Sequence, residues 1–131
     1  MSFKSDMARA TRKITDAHDK IASTAALDLF ASTIRDTPVD LGGARGGWTT
    51  KAVVEPAKSP ERLDPTGELA LAEMRANVPD GAGQEVFMAN TLPYIERLEY
   101  GYSKKAPQGM VRRNIARVQR IVDAAIAKFK V

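Results

Sequence analysis

The chain contains no cysteine, which removes disulfide frameworks, thiolate metal sites and thiol nucleophiles from consideration. Histidine occurs once, as His18, and no Ser-His or Cys-His pairing, HExxH motif or paired metal-ligand spacing accompanies it. No run approaches the roughly 20 apolar residues that a membrane span requires. The N-terminal stretch MSFKSDMARATRK is charged where a signal peptide would be apolar. These absences predict a soluble protein made in the cytoplasm, with no catalytic residues, cofactor or metal and no membrane partner. At 131 residues the chain predicts a single domain, 1–131, able to bury a modest core.

What is there is unevenly distributed. The net charge is +4, yet residues 104–131 carry eight Lys/Arg against Asp123 alone, while residues 37–103 carry six basic and ten acidic groups. A basic end beside an acidic middle admits two readings: contact with nucleic acid, or head-to-tail packing of identical subunits. The split between signs favours the second.

Residues 6–35 lack Pro and Gly, and Ile14, Ala17, Ile21 and Ala25 recur at three- and four-residue steps. They predict an amphipathic N-terminal helix, ended by Thr37-Pro38 because a residue before proline avoids helical geometry. Residues 38–47 hold four glycines between Gly42 and Gly47 and predict a mobile loop. Within 48–90, Trp48–Val54 and Gln84–Ala89 read as strands. Between them lie a proline-rich, exposed linker (55–66) and a short helix (67–77), for which Asp64 and Thr66 are candidate caps. Residues 91–109 form a shaped connection. Residues 110–130 predict a last helix, its apolar face made by Met110, Ile115, Val118, Val122, Ala125, Ile126 and Phe129. The sum is an α+β domain: a small antiparallel sheet packed by long N- and C-terminal helices, with a glycine-rich loop arm.

Several constellations invite a function, and each has a plainer reading. Asp40, Glu96 and Glu99 suggest an acid pair or metal ligands, the site a hydrolase or nuclease would need. Arg97, Lys104 and Lys105 offer them ordinary ion-pair partners instead. The run GGARGG suggests a phosphate cradle, but a phosphate loop needs a strand before it and a helix after it, the reverse of the order here. Arg112, Arg113, Arg117 and Arg120 could track phosphates, or form a solvated or ion-paired helix face. Tyr94, Tyr100, Tyr102 and Trp48 are half of the eight aromatics. They suit protein–protein contact, or the covering of one end of the core.

Two stretches carry a resemblance. In TPVDLGGARGGW the matching positions are Pro38, Val39, Asp40, Gly42, Arg45 and Trp48. In NTLPYIERLEYGYSKKAPQGMVR they are Asn90, Pro93, Tyr94, Glu99, Gly101, Ser103, Ala106, Pro107, Gly109 and Met110. Together they resemble the phage tail-completion and minor-tail-protein family, the group that includes the lambda-type tail protein Z. Leu41 departs from the usual threonine, Gly47 from Asn or Ser, and Lys105 from a frequent glutamine. The resemblance spans roughly residues 20–125.

It implies a structural virion protein rather than an enzyme. Such a protein would be made in the host bacterial cytoplasm and placed in the head–tail neck, where it completes the head-proximal end of the tail and joins it to the head. The implied partners are itself, as a ring of six by analogy with the tail tube, and other neck and tail-tube proteins. Non-specific contact with packaged DNA stays open for the basic helix. A tail terminator of the same region is the alternative within this class, and a basic nucleic-acid-binding module the alternative outside it. A heterologous ring needs two unlike surfaces on one subunit. The candidate contact residues are Asp40, Arg45, Trp48, Tyr94, Glu99, Tyr100, Tyr102, Lys104, Lys105, Arg112, Arg113 and Arg117. The glycine-rich arm would be disordered in the monomer and fixed on assembly.

Overall fold

One helix sets the length of the molecule in the computed structural model, which describes residues 2–56, 58–101 and 103–130. This helix, α1 (Phe3–Asp36), starts three residues before its predicted boundary. Ser2, in extended geometry, caps it by accepting the Ser5 N–H at 3.1 Å. It stops where predicted, at Thr37, whose ψ of 126° leaves the helical region ahead of Pro38. The chain continues through α2 (Gly43–Gly46), β1 (Thr49–Ala52), α3 (Glu68–Asn77), β2 (Val86–Ala89), α4 (Ile95–Glu99), α5 (Val111–Ala116) and α6 (Val118–Lys128).

The fold is α+β. β1 and β2 pair antiparallel, Thr49 opposite Ala89 and Ala52 opposite Val86. α3 packs on β1 and on α1, and α6 runs back along α1. Ile34, Trp48, Leu71, Met74 and Met110 meet in the core. As expected, Asp64 caps α3: its carboxylate accepts the N–H groups of Leu69 at 3.2 Å and Ala70 at 2.9 Å. The turn after α3 is fastened to α1, with Ala82 N–H donating to the Asp19 carboxylate and the Ser23 hydroxyl to Pro79 C=O. No helix among the described residues is long and apolar enough to cross a membrane.

Four expectations are corrected. The glycine-rich segment is not an arm: it contains the single-turn helix α2 and lies against the body, with Ala44, Gly46 and Gly47 buried. The linker 55–66 is anchored rather than free. Ser59 and Thr91 exchange hydrogen bonds at 2.9 and 2.6 Å, and both Ser59 and Asp64 are buried. The connection 91–109 includes a helix, α4. Finally, the last helix is two. Arg117 leaves helical geometry at φ −97°, ψ 2°, where Asn114 uses its side chain on the Met110 carbonyl and on Asp36. Asparagine side chains compete with helix continuation in this way. The interruption turns the expected stripe, so Met110 and Ala125 are buried while Ile115, Val118 and Ile126 face outward.

Candidate interaction surface

The first signature segment is a clasp on the end of α1. The last carbonyls of a helix have no partner within it and carry the negative end of its dipole. Arg45 supplies the donors: its guanidinium reaches the carbonyls of Arg35 at 2.7 Å, Thr37 at 2.9 Å and Pro65 at 2.8 Å. Trp48 turns inward beneath it, 5% exposed, and donates its indole N–H to the Thr37 hydroxyl at 2.8 Å. Arg62 then crosses the segment, donating to Gly46 C=O at 2.8 Å and Trp48 C=O at 3.1 Å and pairing with Glu73 at 3.5 Å. Backbone approach is close enough here that a Cβ on Gly46 would lie 2.1 Å from the Arg62 carbonyl oxygen. That contact is what the glycine is for.

The second segment is a clasp of the same kind, built on Glu99. Its carboxylate accepts the N–H groups of Met110 at 2.9 Å, Val111 at 2.8 Å and Arg112 at 2.8 Å. It therefore caps the start of α5 from the end of α4. The Arg112 side chain adds an ion pair at 3.2 Å and stacks over the Tyr100 ring at 4.9 Å. Burial resists ionisation of this carboxyl, but the three N–H donors and the Arg112 side chain outweigh it and hold the pKa below the ordinary glutamate value. Gly109 closes the loop at φ 78°, and a Cβ there would meet the Glu99 carbonyl at 2.3 Å. The two clasps are tied together: the Asn90 side-chain amide donates to Ala44 C=O at 2.8 Å, and Lys105 Nζ to Val39 C=O at 3.0 Å.

Three of the predicted contact residues, Arg45, Trp48 and Glu99, are thus engaged in fastening the subunit itself. Asp40, Tyr94, Tyr100, Lys104 and Lys105 are exposed. Tyr102 lies outside the described residues. Arg113 and Arg117 face Asp36 at 3.8 and 3.3 Å, and Arg112 pairs with Glu99 at 3.2 Å, so three residues of the four-arginine face are engaged within the subunit. Replacing Asp36 by alanine should lower stability by about 1–2 kcal/mol, because these pairs are partly solvated and Asn114 keeps its second acceptor. Urea unfolding measures this, and the loss should shrink in high salt.

Between the clasps the surface is concave. A cavity of about 540 Å³ is lined mainly by Pro38, Val39, Leu41, Leu63, Tyr94 and Leu98. A neighbouring one of about 390 Å³ shares Gly43, Leu63 and Tyr94 with it and adds Leu92 and Pro93. Leu41 is 70% and Leu63 64% exposed, although both are large and apolar. Sequence reasoning missed them. The available signals were Leu41, an apolar residue beside the glycine-rich run, and Leu63, isolated in a charged, proline-rich segment. Among the described residues no group of three or more His, Cys, Asp and Glu is placed to hold a metal ion. Compared with protein families, curated proteins and solved structures, the chain matches none of them.

Proposed function

We propose that the protein is a structural component of the neck of a long-tailed phage, acting as a ring that completes the head-proximal end of the tail and joins it to the head. The observation that carries this reading is that the two segments resembling the tail-completion family interlock. Arg45, Trp48, Glu99, Gly109 and Met110 of the shared pattern sit in two clasps bound to each other through Asn90 and Ala44. Six of the sixteen matching positions are then explained as what builds one rigid face. That face ends in an apolar groove suited to a protein partner.

In this reading the protein is not an enzyme, and its working form is an assembly of six copies located in the virion. A heterologous contact needs unlike surfaces on one subunit, and this one carries a groove bordered by Asp40 and Glu61 as well as basic surface elsewhere, on the N-terminal part of α1 and on α6. A separate nucleic-acid-binding role is less well served, because Arg113 and Arg117 are paired with Asp36.

Electron microscopy of lysates from a phage carrying an early stop codon in this gene tests the proposal. Full heads beside separate tails of normal length are the expected result. Tails of uncontrolled length would make the protein the terminator, and intact infectious virions would overturn the neck assignment.

A further inference from the structure

Every residue of α1 from Phe3 to Asp16 is exposed; Ala17 is the first to be buried. α6 gives out at this point, where the Phe129 ring lies under Lys20. Lys13 and Asp16 still share a pocket with Phe129 and Lys130; beyond it α1 runs on for roughly ten residues, about 15 Å at helical rise. The projecting part is not featureless. Phe3, Met7, Ala10 and Ile14 follow a four-three-four spacing that continues into the packed Ala17 and Ile21, and this spacing places them on one seam. Phe3 is 81% exposed, and Met7 and Ile14 are about half exposed. Leaving these side chains in water forgoes the apolar burial that a partner surface would supply.

Among the described residues nothing covers this seam. α1 has no proline or glycine between Phe3 and Asp36, so the projecting end has no hinge on which to fold back. The groove beside Leu41 starts just past the opposite end of the same helix, about 45 Å away by helical rise. Charge then selects among the exposed apolar surfaces. The arm carries Lys4, Arg9, Arg12 and Lys13 against Asp6 and Asp16. The outward stripe Ile115–Val118–Ile126 shares its helices with Arg120 and Lys128 against the exposed Asp123, a net positive setting that disfavours it. The groove is bordered by the exposed Asp40 and Glu61 instead. Arg62 is paired with Glu73, and Lys105, bonded to the neutral Val39 C=O, keeps its charge, so the border of Asp40, Glu61 and Lys105 is net negative.

We infer that the projecting N-terminal part of α1 is a docking arm that seats in the Leu41–Leu63–Tyr94 groove of a second copy of this chain, linking copies head to tail. This deepens the ring reading and rests on it for the identity of the partner. An arm at one end and a receptor at the other make a heterologous contact, which closes into a ring when the rotation between copies allows.

The test exploits the absence of native cysteine. A chain carrying Met7→Cys and Leu63→Cys should form a ladder of disulfide-linked oligomers on mild oxidation, whereas Met7→Cys with Ile126→Cys should not. In parallel, light scattering on the full chain is compared with Met7→Asp/Ile14→Asp. Both positions are exposed, so circular dichroism should show the fold retained. The dissociation constant should rise by about tenfold or more, as loss of apolar anchors does at interfaces. Association unchanged by the double variant, with no ladder from the first pair, overturns the arm and leaves the ring standing. A chain that is monomeric at every concentration, or that instead sediments with anionic vesicles through the arm, also overturns it. The neck assignment would then be decided by the lysate microscopy alone.

Discussion

Trp48→Ala should lower the unfolding free energy by about 3–5 kcal/mol, a large share of the roughly 5–15 kcal/mol that holds a domain together. Two effects add. The indole is nearly fully buried against the core residues of α1 and α3, so its removal forfeits apolar burial and leaves a cavity. Its N–H also satisfies Thr37 at the point where α1 stops. Trp48→Phe separates them: most of the burial is kept and the hydrogen bond is lost, for an expected cost of about 1–2 kcal/mol. Denaturant titration followed by circular dichroism reads both variants. An alanine variant as stable as the parent would mean that Trp48 is not core, and would return it to the list of surface anchors.

The second large effect concerns Glu99. Glu99→Ala should cost about 3 kcal/mol, because three backbone N–H groups at the start of α5 lose a charged acceptor together. Glu99→Gln keeps the shape but turns an amide group toward donors, and should cost somewhat less. The pH dependence distinguishes a capping carboxylate from a merely well-packed side chain. Its folded pKa is depressed, so its contribution is complete above the unfolded glutamate value of about 4.3. It is lost as pH falls through the lower folded value. Thermal midpoints measured from neutral pH down through the carboxylate range should therefore fall more steeply for the parent than for Glu99→Gln. Parallel curves would refute the cap.

The parts of this fold legible in the sequence are those whose causes are local. Thr37-Pro38 stops α1 by backbone sterics alone, and Asp64 caps α3 from a few residues away. The β-branched, alternating run after Trp48 and the short apolar run ending at Ala89 were enough to find a small antiparallel sheet. The parts not legible depend on distant partners. The break at Arg117 needs Asp36, far earlier in the chain, to hold Asn114 and Arg117. The glycine-rich run reads as loose because composition reveals what glycine permits. It does not reveal that Arg62 passes within a Cβ radius of Gly46.

The candidate surface divides in the same way. Tyr94 and Asp40 are exposed beside the groove, where polar and amphipathic loop residues are expected to lie. Arg45, Trp48 and Glu99 were read as contacts because polar and aromatic groups in a patterned loop suit a partner equally well. Only the carbonyls and amides they reach show that their partner is the chain itself. Leu41 and Leu63 were invisible for the opposite reason, since apolar residues in a loop are ordinarily assumed to turn inward.

The uninterrupted backbone of α1 has a mechanical meaning. Arg45 locks one end of this helix to the groove-bearing body, so the projecting tip and the groove are opposite ends of a single spar. Whatever tilts the tip tilts the socket by the same angle. In an assembly joined tip to socket, each added copy takes its bearing from the one before. The angle between spar and socket then acts as a gear tooth that fixes the circumference, with no flexible loop to absorb the error.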